Sequence, residues 1–222
     1  NMRIGDSALM PPVTMSLICV NGVMLIALWL CQRVGIDLNF FLGLHYWQAP
    51  SFKLYQFVTY MFMHGGFSHF FFNMFALWMF GTVIERTWGA ERYLIYYFVC
   101  GLGAALVQEI VWGIGMSPAA LAYYGDYLIT VGASGAIFGI LLAFGMLYPN
   151  TPLFIMFIPI PIKAKWMVIG YGIMELFAGV SQTGDNVAHF AHLGGMIFGY
   201  LLIKYWRKRD RKRVRDGVQE FF

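Results

Sequence analysis

Apolar residues run through this chain in long blocks separated by short polar stretches. Six blocks approach the roughly 20 residues that a bilayer-spanning helix needs: about 13–32, 62–83, 93–114, 130–148, 166–181 and 187–206. The fifth is the least regular. It follows Pro149-Asn150-Thr151-Pro152 and a run containing Pro159 and Pro161, and it carries Glu175. Those prolines predict an extended connection over 152–161 rather than helix. No internal repeat or low-complexity segment stands out. The pattern predicts an all-α, polytopic membrane bundle of six transmembrane helices over 1–206, followed by a basic tail over 207–222.

Composition agrees with that reading. The 222 residues are 59% hydrophobic and 12% charged, with mean hydropathy +0.64, whereas soluble domains are about 25% charged. The net charge of +4 is not a nucleic-acid signal, because of where it sits. Eight of the 15 Lys and Arg lie between Lys204 and Arg215, just after the last apolar block. A cluster there suits anionic lipid head groups. Cys19, Cys31 and Cys100 show no CxxC spacing and read as small apolar helix residues. The first apolar block is long enough to span and lacks an obvious small-residue cleavage site, so it reads as a span and not as a cleaved signal.

The basic residues also orient the bundle. With the N-terminus in the cytoplasm, the inner segments hold Arg3, Arg86, Arg92, Lys163, Lys165 and the eight tail residues; only Arg33 and Lys53 fall outside. Both termini are then cytoplasmic, as expected for a multi-pass protein of the cell's inner membrane. The second, fourth and sixth helices enter from the outer side. The first outer loop, about 34–55, is long and aromatic (Phe40, Phe41, Tyr46, Trp47, Phe52, Tyr55). It is expected in the membrane interface, where aromatic rings are favoured.

Polar groups then fall at matching depths in one leaflet. Ser134 stands in Gly132-Ala133-Ser134-Gly135 at the outer start of the fourth helix, and His192 in Ala191-His192-Leu193-Gly194-Gly195 on the sixth. Such groups inside a membrane are costly and point to function. A serine hydroxyl is a poor nucleophile until a base activates it, and His192 is the best-placed base. Gly135 and Gly139 form one small-residue seam, Ala191, Gly195 and Gly199 another. Seams of this kind allow close helix approach, which would bring Ser134 and His192 together. Acyl transfer also needs donors for the developing oxyanion. His69 and Asn73, four apart on the second helix, share a face, and His64 lies about a turn nearer the surface.

These residues, His64-x4-His69-x3-Asn73, Gly132-Ala-Ser134-Gly135 and Ala191-His192-Leu-Gly-Gly195-x3-Gly199, resemble the rhomboid family of intramembrane serine proteases in order and spacing across roughly 55–200. Gly81-x3-Glu85-Arg86 also resembles the end of that family's second core helix. The resemblance implies a rhomboid-like fold and a Ser–His dyad with no third acidic member: Ser134 as nucleophile and His192 as base. It implies an oxyanion site made of the Ser134 backbone N–H and the His69 and Asn73 side chains, with His64 and Gly132 shaping the pocket. Phe138 matches a position where the family sets an aromatic ring against the catalytic histidine. No metal or cofactor is implied, and the substrates are transmembrane proteins. The fifth helix and the loop 181–188 would be the movable wall and lid, with Trp166 and Phe177 on that wall. Two departures stand out. The arginine the family often has near Tyr55-Gln56 is missing, which concerns loop anchoring, and His189 adds a histidine three residues before His192, expected at the water-exposed mouth.

Other chemistries fit less well. His64, His69, His189 and His192 could bind zinc, but no HExxH is present and Ser134 would be idle. Asp126 and Asp185 fall in loops, away from the depth an aspartyl protease needs. Glu109 and Glu175 are stray acids that could simply pair with polar neighbours, too few to line a transport path.

Overall fold

In the computed structural model, residues 10–154, 161–181 and 189–215 are described. Helix α1 (Pro12–Arg33) opens with proline at its first position, where a missing N–H costs nothing. Two of its free N-terminal donors are satisfied from afar. The Glu85 carboxylate accepts from Val13 N–H at 2.9 Å and from both the N–H and the hydroxyl of Thr14 at 2.7 Å.

The loop after α1 is built rather than slack. It contains α2 (Leu38–Leu42), β1 (Leu44–His45) and α3 (Gln56–Thr59). Gln56 is its hub. The amide oxygen accepts from Lys53 N–H at 3.1 Å and His45 N–H at 3.4 Å, and the amide nitrogen donates to the carbonyls of Ser51 and Phe41. An uncharged glutamine thus does the anchoring that the missing arginine left open. Glu109 and Asp126 hold the same loop, accepting from Trp47 N–H and Ser51 N–H at 2.9 Å each.

The second long helix runs as α4 (Phe67–Ala76), a π-helical turn over Leu77–Gly81, and α5 (Thr82–Trp88). It starts five residues later than the apolar pattern predicted, because Met63 is extended and Gly66 takes φ +157°. Helix α6 (Ala90–Gly115) follows, then α7 (Pro118–Tyr124) and β2 (Ile129–Thr130), which pairs antiparallel with β1. Helix α8 (Ser134–Leu147) is the central one. Strands β3 (Pro152–Phe154) and β4 (Pro161–Lys163) pair antiparallel, as the prolines predicted for their ends; 155–160 lie outside the described residues. Helix α9 (Ala164–Ser181) packs only on the flank, against α8 and α10 (His189–Arg215). Helix α10 continues unbroken through the first part of the basic tail, and Arg92 at the start of α6 grips Asp210 there at 3.0 Å.

The core lies where α6, α8 and α10 meet. Small residues let backbones touch: a side chain on Gly195 would collide with the Gly135 backbone, and one on Gly139 with Cys100. Tyrosines fill the wider gaps. Tyr96 and Tyr60, both buried, donate to the carbonyls of Gly139 at 2.8 Å and Gly101 at 2.6 Å, so neither of these two hydroxyls is stranded. Three helices, Pro12–Arg33, Phe67–Trp88 and Ala90–Gly115, are each long and apolar enough to cross a membrane, and Ser134–Leu147 is a shorter apolar helix.

Candidate active site

Ser134 is the first residue of α8. A short connection delivers it there. Gly132 N–H bonds the Tyr60 carbonyl at 2.9 Å, and Gly132 then turns with φ +131°, a conformation that side chains resist. Its missing Cβ also leaves room. A Cβ there would meet the His69 ring at 2.8–2.9 Å and Ser134 Oγ at 3.5 Å. Glycine is therefore what lets His69 lie beside the serine. As the first helical residue, Ser134 has a backbone N–H with no partner inside its own helix.

Across the glycine seam, His192 Nε2 lies 2.8 Å from Ser134 Oγ. The imidazole is fixed from one face by Phe138, one turn below the serine: the rings stack at 4.3 Å with 6° between planes. His192 is buried, at 8% exposure. Ser134, His192 and Phe138 thus lie together at the α8–α10 seam.

His69 stands on α4. Gly65 N–H donates to its Nδ1 at 3.2 Å, which assigns the proton to Nε2, the nitrogen that faces Gly132 and the serine. His69 is therefore a donor beside Gly132 and the start of α8. Asn73 lies one turn deeper, and its amide nitrogen donates back to the His69 carbonyl at 2.7 Å. His64 is buried edge-on against His69, centroids 5.2 Å apart, and against Phe70.

The unforeseen member is Glu175. Its Oε2 lies 2.9 Å from His192 Nδ1 and accepts a hydrogen bond from His189 Nδ1 at 2.7 Å. The two contacts differ in quality. His189 meets the oxygen at a good hydrogen-bond angle, while the His192 contact is close but poorly aligned with the ring N–H. His189 is thus half-buried on an acid and not a free histidine at a mouth. The sequence carried one clue, an acid in mid-helix within an apolar block, which is costly unless paired. Among the described residues, Glu175, His189 and His192 are also the group that could hold a metal ion, with ligand atoms within 4.8 Å; the four-histidine set is not assembled. The expected lid, 181–188, lies outside the described residues except for the end of α9. Trp166 and Phe177 are exposed on the outer side of α9.

The described residues thus form a helical membrane bundle in which a serine is hydrogen-bonded to a histidine between two close-packed helices, with a second histidine beside it. Comparison with known proteins agrees and makes the class specific. The rhomboid domain family matches residues 51–209, and the chain belongs to the rhomboid family. It is 31% identical over 158 residues to the mitochondrial Rhomboid protein 1 of Saccharomyces cerevisiae, covering 71% of this chain and 43% of that protein. It is 31% identical over 152 residues to the rhomboid protease GluP of Bacillus subtilis, covering 66% and 25%. The human presenilin-associated rhomboid-like protein of mitochondria is 30% identical over 154 residues, covering 67% and 38%. The chain therefore spans less than half the length of each of these three relatives.

Proposed function

We propose that this protein is an intramembrane serine endopeptidase that cleaves peptide bonds in or beside transmembrane segments of other membrane proteins. The observation that carries the reading is the 2.8 Å contact between Ser134 Oγ and His192 Nε2 across the α8–α10 seam. His192 Nε2 takes the hydroxyl proton as Ser134 Oγ attacks the scissile carbonyl carbon. The carbonyl π electrons move to oxygen, where the Ser134 backbone N–H, His69 Nε2–H and Asn73 amide donate to the oxyanion. The C–N bond breaks, and the imidazolium returns its proton to the leaving amine. Water, deprotonated by His192, then hydrolyses the acyl-enzyme.

The same reading has all six long helices spanning the bilayer, both termini in the cytoplasm of a cell whose inner membrane holds the protein, and the site open to the opposite side. That orientation rests on the basic residues. Substrates enter sideways past α9, which packs on the flank of the bundle, and must unwind locally, since helical carbonyls are already bonded.

A fluorophosphonate probe tests the assignment. Labelling of the wild type, mapped by mass spectrometry to Ser134 and reduced to a slow residual rate in His192→Ala, is expected. Labelling that persists in Ser134→Ala, or no labelling of folded wild type, would overturn it.

A further inference from the structure

We propose that Glu175 is an acidic positioning residue for His192, so that the site works as a Ser134–His192–Glu175 relay whose third member is delivered by the flanking helix α9. The proposal rests on the serine-protease reading above and adds to it an acid that a Ser–His dyad lacks.

Three observations carry it. First, Glu175 is buried, at 7% exposure, in a helix whose other described neighbours are apolar. A carboxylate there demands partners. Second, its partners are two rings of α10, with Oε2 2.9 Å from His192 Nδ1 and 2.7 Å from His189 Nδ1. Third, the other ring nitrogen of His192 is the one on Ser134 Oγ, at 2.8 Å. The imidazole thus lies between hydroxyl and carboxylate, with Phe138 against its face.

The chemistry follows from that order. For Nε2 to accept the serine proton, the ring proton must sit on Nδ1, and a carboxylate oxygen at Nδ1 favours that tautomer. When Nε2 takes the Ser134 proton, the imidazolium charge develops 2.9 Å from Glu175. The Nδ1 proton stays where it is, and Glu175 is never protonated. His189 donates to the same oxygen, Oε2, and so fixes where the carboxylate sits. A small swing of Glu175 straightens the bond to His192, so the seating of α9 on α10 sets how well the base works. The groups facing His192 are Ser134 from α8, Glu175 from α9, His189 on its own helix and His69 from α4.

Glu175→Gln keeps size and shape and removes the charge. The expected result is fluorophosphonate labelling of Ser134 slowed at least 10-fold. Cleavage of a reconstituted transmembrane substrate should show kcat lowered in parallel, KM within about 2-fold and an unchanged unfolding temperature. In a His192→Ala background the same substitution should change residual labelling less than 2-fold. Wild-type labelling by Glu175→Gln, or a loss carried by KM or by unfolding, would assign Glu175 to packing alone and overturn the proposal. Independently of any variant, ¹⁵N-histidine NMR of the wild type should show His192 protonated at Nδ1, and an Nε2–H tautomer would overturn it. Failure of the underlying reading looks different: wild type is then not labelled at Ser134 at all.

Discussion

Gly195→Ala should inactivate this protein without touching a reacting group. An ideal Cβ at Gly195 would overlap the Gly135 carbonyl oxygen and stand 2.7 Å from its carbon, against the about 3.5–4.0 Å at which unbonded carbons meet. The colliding atoms are backbone, so no side chain can swing aside. Helix α10 must withdraw from α8 by about 1 Å. His192 rides on the turn before Gly195, so its 2.8 Å contact with Ser134 opens to about 4 Å, beyond hydrogen bonding. A misplacement of about 1 Å costs about 10²-fold in rate, and overpacking costs about 1–3 kcal/mol in stability. Cleavage of a model transmembrane substrate in liposomes, read beside thermal unfolding in detergent, measures both. Gly22→Ala on α1, where an added Cβ meets nothing within 4 Å, is the control and should change neither. If Gly195→Ala keeps wild-type cleavage and stability, the seam does not set the Ser–His distance and the reasoning fails.

Three further outcomes follow from the geometry. His69→Ala should lower kcat by about 10²–10³ with little change in KM, since it removes a donor needed only by the oxyanion; a KM effect alone would place His69 in substrate binding. Glu85→Gln should cost about 1–3 kcal/mol of stability, because an amide sets a donor against an N–H of α1, while cleavage per folded molecule persists; an unchanged unfolding temperature would refute the capping role. Gln56→Ala should expose the 34–55 loop to limited proteolysis, having lost four hydrogen bonds, and resistance equal to wild type would show that Glu109 and Asp126 suffice.

The sequence exposed the parts of this molecule that a membrane makes conspicuous. Ser134, His192, His69 and Asn73 are polar in apolar surroundings, and their periodic glycines signal which helices touch. Phe138 is picked out by the family resemblance and not by any chemistry of its own. Glu175 was visible as an oddity but not as a partner of His192, because that contact depends on how α9 seats on α10, which no spacing within either helix encodes. The Gln56 hub was hidden for a similar reason: its bonds go to main-chain groups, which carry no residue-type signal. Strands of two or three residues, such as β1 and β2, are too short to show alternation. The late start of α4 and the helical continuation of α10 into its basic end reflect local effects, an extended Met63 and Gly66 in one case and helix-favouring Lys and Arg in the other, that hydropathy does not register.

The central claim is that Ser134 and His192 together make this protein a protease. Cleavage of a reconstituted transmembrane substrate by wild type, Ser134→Ala, His192→Ala and His189→Ala tests it most directly. The account predicts cleavage by wild type, none by the first two variants, and measurable cleavage by His189→Ala. Equal cleavage by Ser134→Ala and wild type would contradict it.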